Sequence, residues 1–365
     1  MNLASLPTPS LVLDKQVLER NISRMADILA ARGVPLRPHM KTAKSIEVAR
    51  LALRGQPGGI TVSTLAEAAY FARHGIADIL YAVAITPEKL DAVAKLNAAG
   101  AAVIVITDDA DTAAAIAAHP APPRVLIEVD SGEARSGVDP HGDELLAVAE
   151  RLGPLLAGVM THAGHSYGAR GDAALAAVAE TERRSVVTAA ERLRAAGHPA
   201  PIVSMGSSPT AVHGGDFTGV TEVRAGVYMF GDLFQAEIGT HGMDAIALTV
   251  LTSVIGRRPG RVIVDAGGLA LSKDRSTEGA PRDYGFGLVL DLAGRPAFGD
   301  AIVRRAYQEH GVVELDPAHP IDLPVGAKLR IAPNHTCMTA AAHDRYHVTD
   351  GGEEVVAVWD RVNGW

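Results

Sequence analysis

The sequence predicts an α/β protein: a (β/α)8 TIM-like barrel of the alanine racemase-like kind, followed by an antiparallel β domain. Three observations carry the expectation. From Ser10 to about Gly231, short apolar runs alternate with longer Ala-rich amphipathic stretches, the pattern of βαβ units and a parallel sheet. After about Phe234 the helical periodicity fades, and short strand-like segments follow one another between Gly, Pro and Asp turns. No G-x-G-x-x-G follows the first strand, which removes support for an open dinucleotide-binding sheet.

In chain order, the strand candidates of the first part are residues 10–13, 36–40, 59–62, 78–83, 102–106, 124–129, 156–161, 201–205 and 220–224. Helical patterns between them occupy 15–32, 44–53, 65–74, 87–98, 110–118, 145–152 and 173–196. Nine strands at this spacing fit an eight-stranded barrel with one to spare. In the second part, strands are expected at 245–255, 261–265, 288–290, 311–314, 328–331, 346–348 and 354–359. The expected domains are residues 10–233 for the barrel, and 234–365 together with 1–9 for the β domain.

Composition narrows the function classes. Of the 365 residues, 47% are hydrophobic and 21% charged, values of a globular rather than a disordered chain. A net charge of -8, with no basic cluster, gives nucleic acid no electrostatic footprint. The single cysteine, Cys337, rules out an internal disulfide framework and fits a reducing compartment. No signal-peptide pattern is visible, and no apolar run reaches the roughly 18 residues of a membrane span. The expected location is the cytoplasm.

Candidate chemistry begins at Leu36-Arg37-Pro38-His39-Met40-Lys41-Thr42-Ala43-Lys44. On a strand, Arg37, His39 and Lys41 share one face, which in a parallel barrel is the lumen. A lysine ending such a strand among other cations is a candidate nucleophile. The rival reading is an exposed basic loop. Other strand ends add Glu128, Asp130 and Arg135, then His162, His165 and Tyr167, and finally Arg224, Gly226 and Val227. Gly206-Ser207-Ser208 with Thr210 offers backbone N–H groups and hydroxyls at a strand-to-helix turn, as a phosphate needs, although such clusters are often plain loops. His162 and His165 read equally as metal ligands, ring-stacking groups or loop residues. In an extended His335-Thr336-Cys337, the imidazole and thiol point to one side and can converge on an ion. That donor pair favours Zn2+ over Mg2+ or Ca2+. The alternative is a buried free cysteine beside an incidental histidine.

Together, R-P-H-x-K around Lys41, the late Gly/Ser loop and the C-terminal β domain resemble the fold-type III pyridoxal-phosphate enzymes. Pro333-Asn334-His335-Thr336-Cys337 resembles the branch of D-serine dehydratase and D-threonine aldolase, which carries a catalytic metal. Ile60-Thr61-Val62-Ser63-Thr64, Glu222-Val223-Arg224-Ala225-Gly226 and Asp265-Ala266-Gly267 extend the likeness through nearly the whole chain. The resemblance implies that Lys41 holds pyridoxal 5'-phosphate covalently and, once displaced by substrate, abstracts the α-proton. Ser207, Ser208, Gly226 and Val227 would bind the phosphate, and Arg135 would face the pyridine nitrogen, with Arg224 the second candidate. His162 would lie over the ring and Tyr167 near phosphate or substrate.

His335 and Cys337 would hold a divalent metal, Zn2+ or alternatively Mn2+, that polarises a β-hydroxyl. The implied reaction dehydrates and deaminates a D-β-hydroxy amino acid, D-serine or threo-3-hydroxy-D-aspartate, to a 2-oxo acid and ammonia. Family aldolases carry aspartate where Cys337 stands, so retro-aldol cleavage to glycine and an aldehyde is the alternative. A non-catalytic pyridoxal-phosphate binder and a cofactor-free metallohydrolase are further readings, and residues 234–365 argue against the first. The implied partners are a small D-amino acid and a second copy of the chain in a homodimer.

Overall fold

The computed structural model describes residues 1–315 and 323–365. The chain divides into two units, Arg24–Gly226 with Val362–Trp365, and Met1–Ser23 with Val227–Arg361. Strand β1 (Ser10–Asp14) and helix α1 (Lys15–Ala30) come first in sequence.

The first unit is the expected barrel. Its strands are β2 (Leu36–Pro38), β3 (Ile60–Val62), β4 (Asp78–Ala84), β5 (Ala102–Thr107), β6 (Arg124–Glu128), β7 (Leu156–Met160), β8 (Ile202–Met205) and β9 (Glu222–Ala225). They pair in parallel in the order β2-β9-β8-β7-β6-β5-β4-β3. Between β2 and β3, His39 bridges Thr61 and the Met40 N–H donates to the Thr61 carbonyl at 2.8 Å, nearly closing the ring. Helices α2 (Ile46–Ala52), α3 (Leu65–Arg73), α4 (Leu90–Ala98), α5 (Ala110–Ala117), α6 (Glu144–Leu152), α7 (Asp172–Ala195) and α8 (Ser208–His213) alternate with the strands. Leu80, Ile104, Ile106, Leu126, Ala157 and Met160 form one buried cluster across β4 to β7. Burial on both faces of these strands is why they read as continuous apolar runs.

Arg37 does not wait for a ligand. Its guanidinium pairs bidentately with Asp78 at 3.0 Å, and its Nε donates to Glu222 at 2.7 Å. Burial opposes its charge, but these two carboxylates more than offset that and raise its pKa. Arg37 therefore ties together the first residues of β4 and β9.

The second unit contains α9 (Leu233–Glu237), β10 (Leu248–Arg258), β11 (Arg261–Val264), α10 (Gly268–Leu271), β12 (Leu288–Leu290), β13 (Ile302–Ala306), β14 (Gly311–Glu314), β15 (Lys328–Ala332), α11 (Thr336–Ala340), β16 (Arg345–Thr349) and β17 (Val355–Asp360). The sheet order is β11-β14-β13-β12-β15-β10-β1-β16-β17, and β11 also pairs with β10. Strands β10 to β15 thus close on themselves, which removes exposed sheet edges. A bulge between Val254 and Gly256 lets the long β10 bend from one partner to the next.

Three features differ from the sequence expectation. The spare ninth strand is β1, which pairs antiparallel with β10 and parallel with β16 instead of entering the barrel. The compact units accordingly divide near residues 23 and 226, not at 9 and 233, because β1 finds its hydrogen-bond partners among the later strands. Strand β13 went unanticipated because Arg304 and Arg305 interrupt the apolar alternation, where the register shifts between Val303 and Arg305. Among the described residues no helix is long and apolar enough to cross a membrane.

Candidate active site

The barrel's candidates gather in the loops that follow its strands. Lys41 is exposed in the turn after β2, its N–H 3.4 Å from His39 Nδ1. Lys44 has a different task. Its φ of 49° is left-handed, and its Nζ lies 3.2 Å from Oε1 of the buried Glu67. Its carbonyl accepts the Val362 N–H at 2.9 Å. The two lysines are separated by structure: one free-ended, one pinned.

His39 and His162 are held uncharged. Burial, reinforced by the charge of Lys41, keeps His39 well below its ordinary value and brings His162 to about 3. His162 Nδ1 lies 2.9 Å from the Gly206 carbonyl, so that nitrogen carries the proton and Nε2 keeps its lone pair.

After β8, Ser207 caps α8 in a reciprocal box. Its Oγ accepts the Thr210 N–H at 3.3 Å, and Thr210 Oγ1 accepts the Ser207 N–H at 2.9 Å. Ser166 Oγ stands 3.0 Å from Ser207 Oγ, which links the box to the loop after β7. Gly206 has a φ of 128°, and a Cβ there would lie 2.4 Å from the Arg224 carbonyl. At Gly226 a Cβ would lie 2.8 Å from the His39 carbonyl. These glycines let the backbones after β2, β8 and β9 approach as a cradle, with Ser207, Ser208 and Gly226 on its wall and Val227 next in sequence. That surface fits the phosphate end of a cofactor, and Lys41 carries an exposed amine in the turn after β2.

The arginines are placed unlike one another. Arg224 is buried and donates to Ser204 Oγ and the Thr161 carbonyl. Arg135 is exposed, 3.2 Å from Glu133 Oε1. Its loop is shaped by Asp130 Oδ1, which accepts the N–H groups of Gly132, Glu133 and Ala134 at 2.8, 3.0 and 3.1 Å. Tyr167 is half-buried in the short 3-10 turn Gly164–Gly168, beside His165.

In the second unit the His335/Cys337 motif is not extended throughout. His335 is the extended N-cap residue of α11, with φ -137° and ψ 103°, and Cys337 sits in that helix's first turn. The side chains still meet, in hydrogen-bond contact. Asp274 stands behind the imidazole, its Oδ2 3.0 Å from His335 Nδ1. Burial opposes a charge on His335, but Asp274 and Cys337 outweigh it and raise its pKa to about 11. Asp274 is held at about 2: burial works against that value, and the His335 and Ser276 hydrogen bonds prevail.

The turn is anchored on both sides. The Thr336 N–H donates to Asp232 Oδ2 at 3.0 Å, while Asp232 Oδ1 caps α9 through the Gln235 N–H at 2.8 Å. Asn334 Oδ1 accepts from Thr277 Oγ1 at 2.6 Å. Among the described residues no three or more His, Cys, Asp or Glu side chains gather as a metal cage. His335 and Cys337 set an imidazole beside a thiol, with Asp274 on the other ring nitrogen, a donor pair whose chemistry would suit a borderline ion with open coordination positions.

Sequence reasoning missed Asp232 and the buried Glu182, and it offered Asp274, with Lys273 and Tyr284, as a pocket residue without placing it beside His335. Asp274 and Asp232 lie 61 and 104 residues from the residues they hold, and no local spacing marks them.

The model of the alanine racemase N-terminal domain matches residues 13–233, and that of a serine dehydratase domain matches 247–349. The chain belongs to the alanine racemase-like, fold-type III pyridoxal-phosphate enzymes, in the lyase branch of D-serine dehydratases and D-threonine aldolases. It is 44% identical over 382 residues to D-threo-3-hydroxyaspartate dehydratase of Delftia sp. (strain HT23), covering 100% of this chain and 99% of that protein. The solved structure of the Delftia enzyme superposes with a TM-score of 0.96 at 43% identity, covering 100% of both chains. The 3-hydroxy-D-aspartate aldolase of Paracoccus denitrificans is 32% identical over 384 residues, with 98% of this chain and 92% of the relative covered.

Proposed function

We propose that this chain is a pyridoxal phosphate- and metal-dependent dehydratase that converts a D-β-hydroxy amino acid, D-serine or threo-3-hydroxy-D-aspartate, to a 2-oxo acid and ammonia. The observation that carries the reading is the His335–Cys337 contact backed by Asp274, in a chain that also presents Lys41 at a barrel strand end. Pyridoxal phosphate, when bound, supplies an electron sink for the bond broken at the substrate Cα. A divalent ion on His335 and Cys337, Zn2+ by the softness of the pair, supplies Lewis acidity toward the leaving hydroxyl.

The chain's own groups do the rest. Lys41 Nζ anchors the cofactor and then takes the α-proton. Ser207, Ser208, Gly226 and Val227 hold the phosphate, and the uncharged His162 presents a flat ring without competing for the proton Lys41 must accept. Arg135 would face the pyridine nitrogen, and as a permanent cation it could not give that nitrogen a proton. The sink would then be weak, which would place more of the work on departure of the β-hydroxyl. Tyr167 borders the phosphate or substrate. The reading includes a homodimer, which size-exclusion light scattering tests.

The deciding experiment incubates the protein with D-serine, D-threonine and threo-3-hydroxy-D-aspartate and identifies the products. A 2-oxo acid with ammonia supports dehydration, whereas glycine with an aldehyde assigns the chain to the aldolases. Wild-type protein should be yellow and Lys41→Ala colourless. Chelation should stop turnover and spare the colour, with Zn2+ restoring activity.

A further inference from the structure

Glu182 lies midway along α7 with no exposed surface, on the helix face that buries Leu175, Ala179, Val186 and Ala189. Burying a carboxyl costs free energy unless it satisfies groups that nothing else reaches. Its Oε1 accepts the Ala163 N–H at 2.8 Å and the Gly206 N–H at 3.0 Å. Ala163 follows His162 in the loop after β7, and Gly206 opens the turn after β8. A single oxygen thus joins the two loops, and the bond from His162 Nδ1 to the Gly206 carbonyl at 2.9 Å completes the link.

We propose that Glu182 is a positioning residue for the cofactor: through Ala163 and Gly206 it sets His162 and the Gly206-Ser207-Ser208 turn in the arrangement that receives the phosphate. The assignment rests on the pyridoxal-phosphate reading above. Burial pushes the Glu182 carboxyl up, against the hydrogen bonds from Thr210, Ala163 and Gly206 that work to lower it. Glutamine keeps the accepting oxygen and can take its place.

The test titrates apoprotein with pyridoxal 5'-phosphate and with pyridoxal, following the absorbance of the lysine-linked form, alongside thermal melts of each apoprotein. Glu182→Gln keeps the acceptor oxygen and should bind the phosphorylated compound within about 3-fold of wild type. Glu182→Leu leaves two buried N–H groups unpaired and should bind it about 30-fold more weakly. Pyridoxal makes no demand on the turn and keeps only the contact with the His162 ring, so its loss of affinity should stay within about 3-fold in both variants, well below that of the phosphorylated compound in Glu182→Leu. If Glu182→Leu does not fold, Glu182→Met is read in the same titration. Equal losses for both compounds, or no loss for either, overturn the assignment. Wild-type protein that binds neither compound overturns the cofactor reading and this assignment with it; wild type that binds while the variants match it overturns the assignment alone.

Discussion

Replacing Asp274 by alanine separates an orienting carboxylate from a bystander. Its Oδ2 is 3.0 Å from His335 Nδ1, with 19% of the side chain exposed. Asp274 at about 2, against an ordinary value of 3.8, corresponds to at most about 2.5 kcal/mol of net favourable interaction. Ser276 takes part of that, and solvent screens the pair, which leaves about 1–1.5 kcal/mol for the imidazole. The same carboxylate favours the proton that a metal ion must displace, so its loss acts in both directions. A divalent ion places more charge on the ring than a proton does, and the balance falls on the side of the metal. Loss of an orienting partner costs roughly 10–100-fold in metal affinity, and the easier deprotonation of His335 returns part of it. The expected net loss at neutral pH is about tenfold, or about 1.4 kcal/mol. Zn2+ titration of apoprotein against a chromogenic chelator measures it, with Asp274→Asn falling between wild type and alanine. An alanine variant that binds Zn2+ within about twofold of wild type, or more tightly, would refute the reasoning.

Three further perturbations follow from the barrel. His162 titrates at about 3 in the fold and near 6.5 when unfolded, so the stability it lends is whole above 6.5 and is lost as pH falls toward 3, at about 1.4 kcal/mol per pH unit. Urea unfolding at neutral and mildly acidic pH should show that slope, reduced by one proton in His162→Gln, and an unchanged slope would sink the assignment. Lys44→Ala leaves Glu67, whose side chain is 1% exposed, without its cation; it should cost about 3 kcal/mol while leaving the protein yellow. Loss of colour there would contradict the choice of Lys41. Gly206→Ala forces a Cβ to 2.4 Å from the Arg224 carbonyl at a φ of 128°; it should lower stability by about 2 kcal/mol or more, measured by thermal melting, and weaken binding of the phosphorylated cofactor.

The barrel was legible because its strands are buried on both faces and its helices on one, so each element carries its own periodicity. Ser10–Asp14 looked like a barrel strand for the same reason: its residues are almost all buried. What decides its sheet is pairing with β10 and β16, more than 200 residues away, and no local pattern encodes a partner at that distance. The short helix α11 was hidden differently. Thr336-Cys337-Met338-Thr339-Ala340 has too few turns to show a period, and Asp232, distant in sequence, satisfies its first N–H.

The site divides along the same line. Lys41, His335, Cys337 and the Gly/Ser turn stood out because reactive side chains and glycines of special φ belong to few residue types. Glu182 and Asp232 stayed invisible, and Asp274 without a place, because an acidic residue within a helix or loop is ordinarily a solvated one. Asp232 spends its oxygens on backbone N–H groups, Asp274 Oδ2 meets an imidazole, and Glu182 Oε1 accepts from two backbone N–H groups. Arg37 inverts the case: its strand read alone puts it on the lumen face with His39 and Lys41, and Asp78 and Glu222, 41 and 185 residues onward, claim it. A polar residue on a barrel strand is thus assigned by whether its partner belongs to the chain or is left for a substrate. By that criterion Arg37 and Lys44 are engaged by carboxylates of the chain, whereas Lys41 is exposed, which supports the proposal that it is the lysine that meets the cofactor.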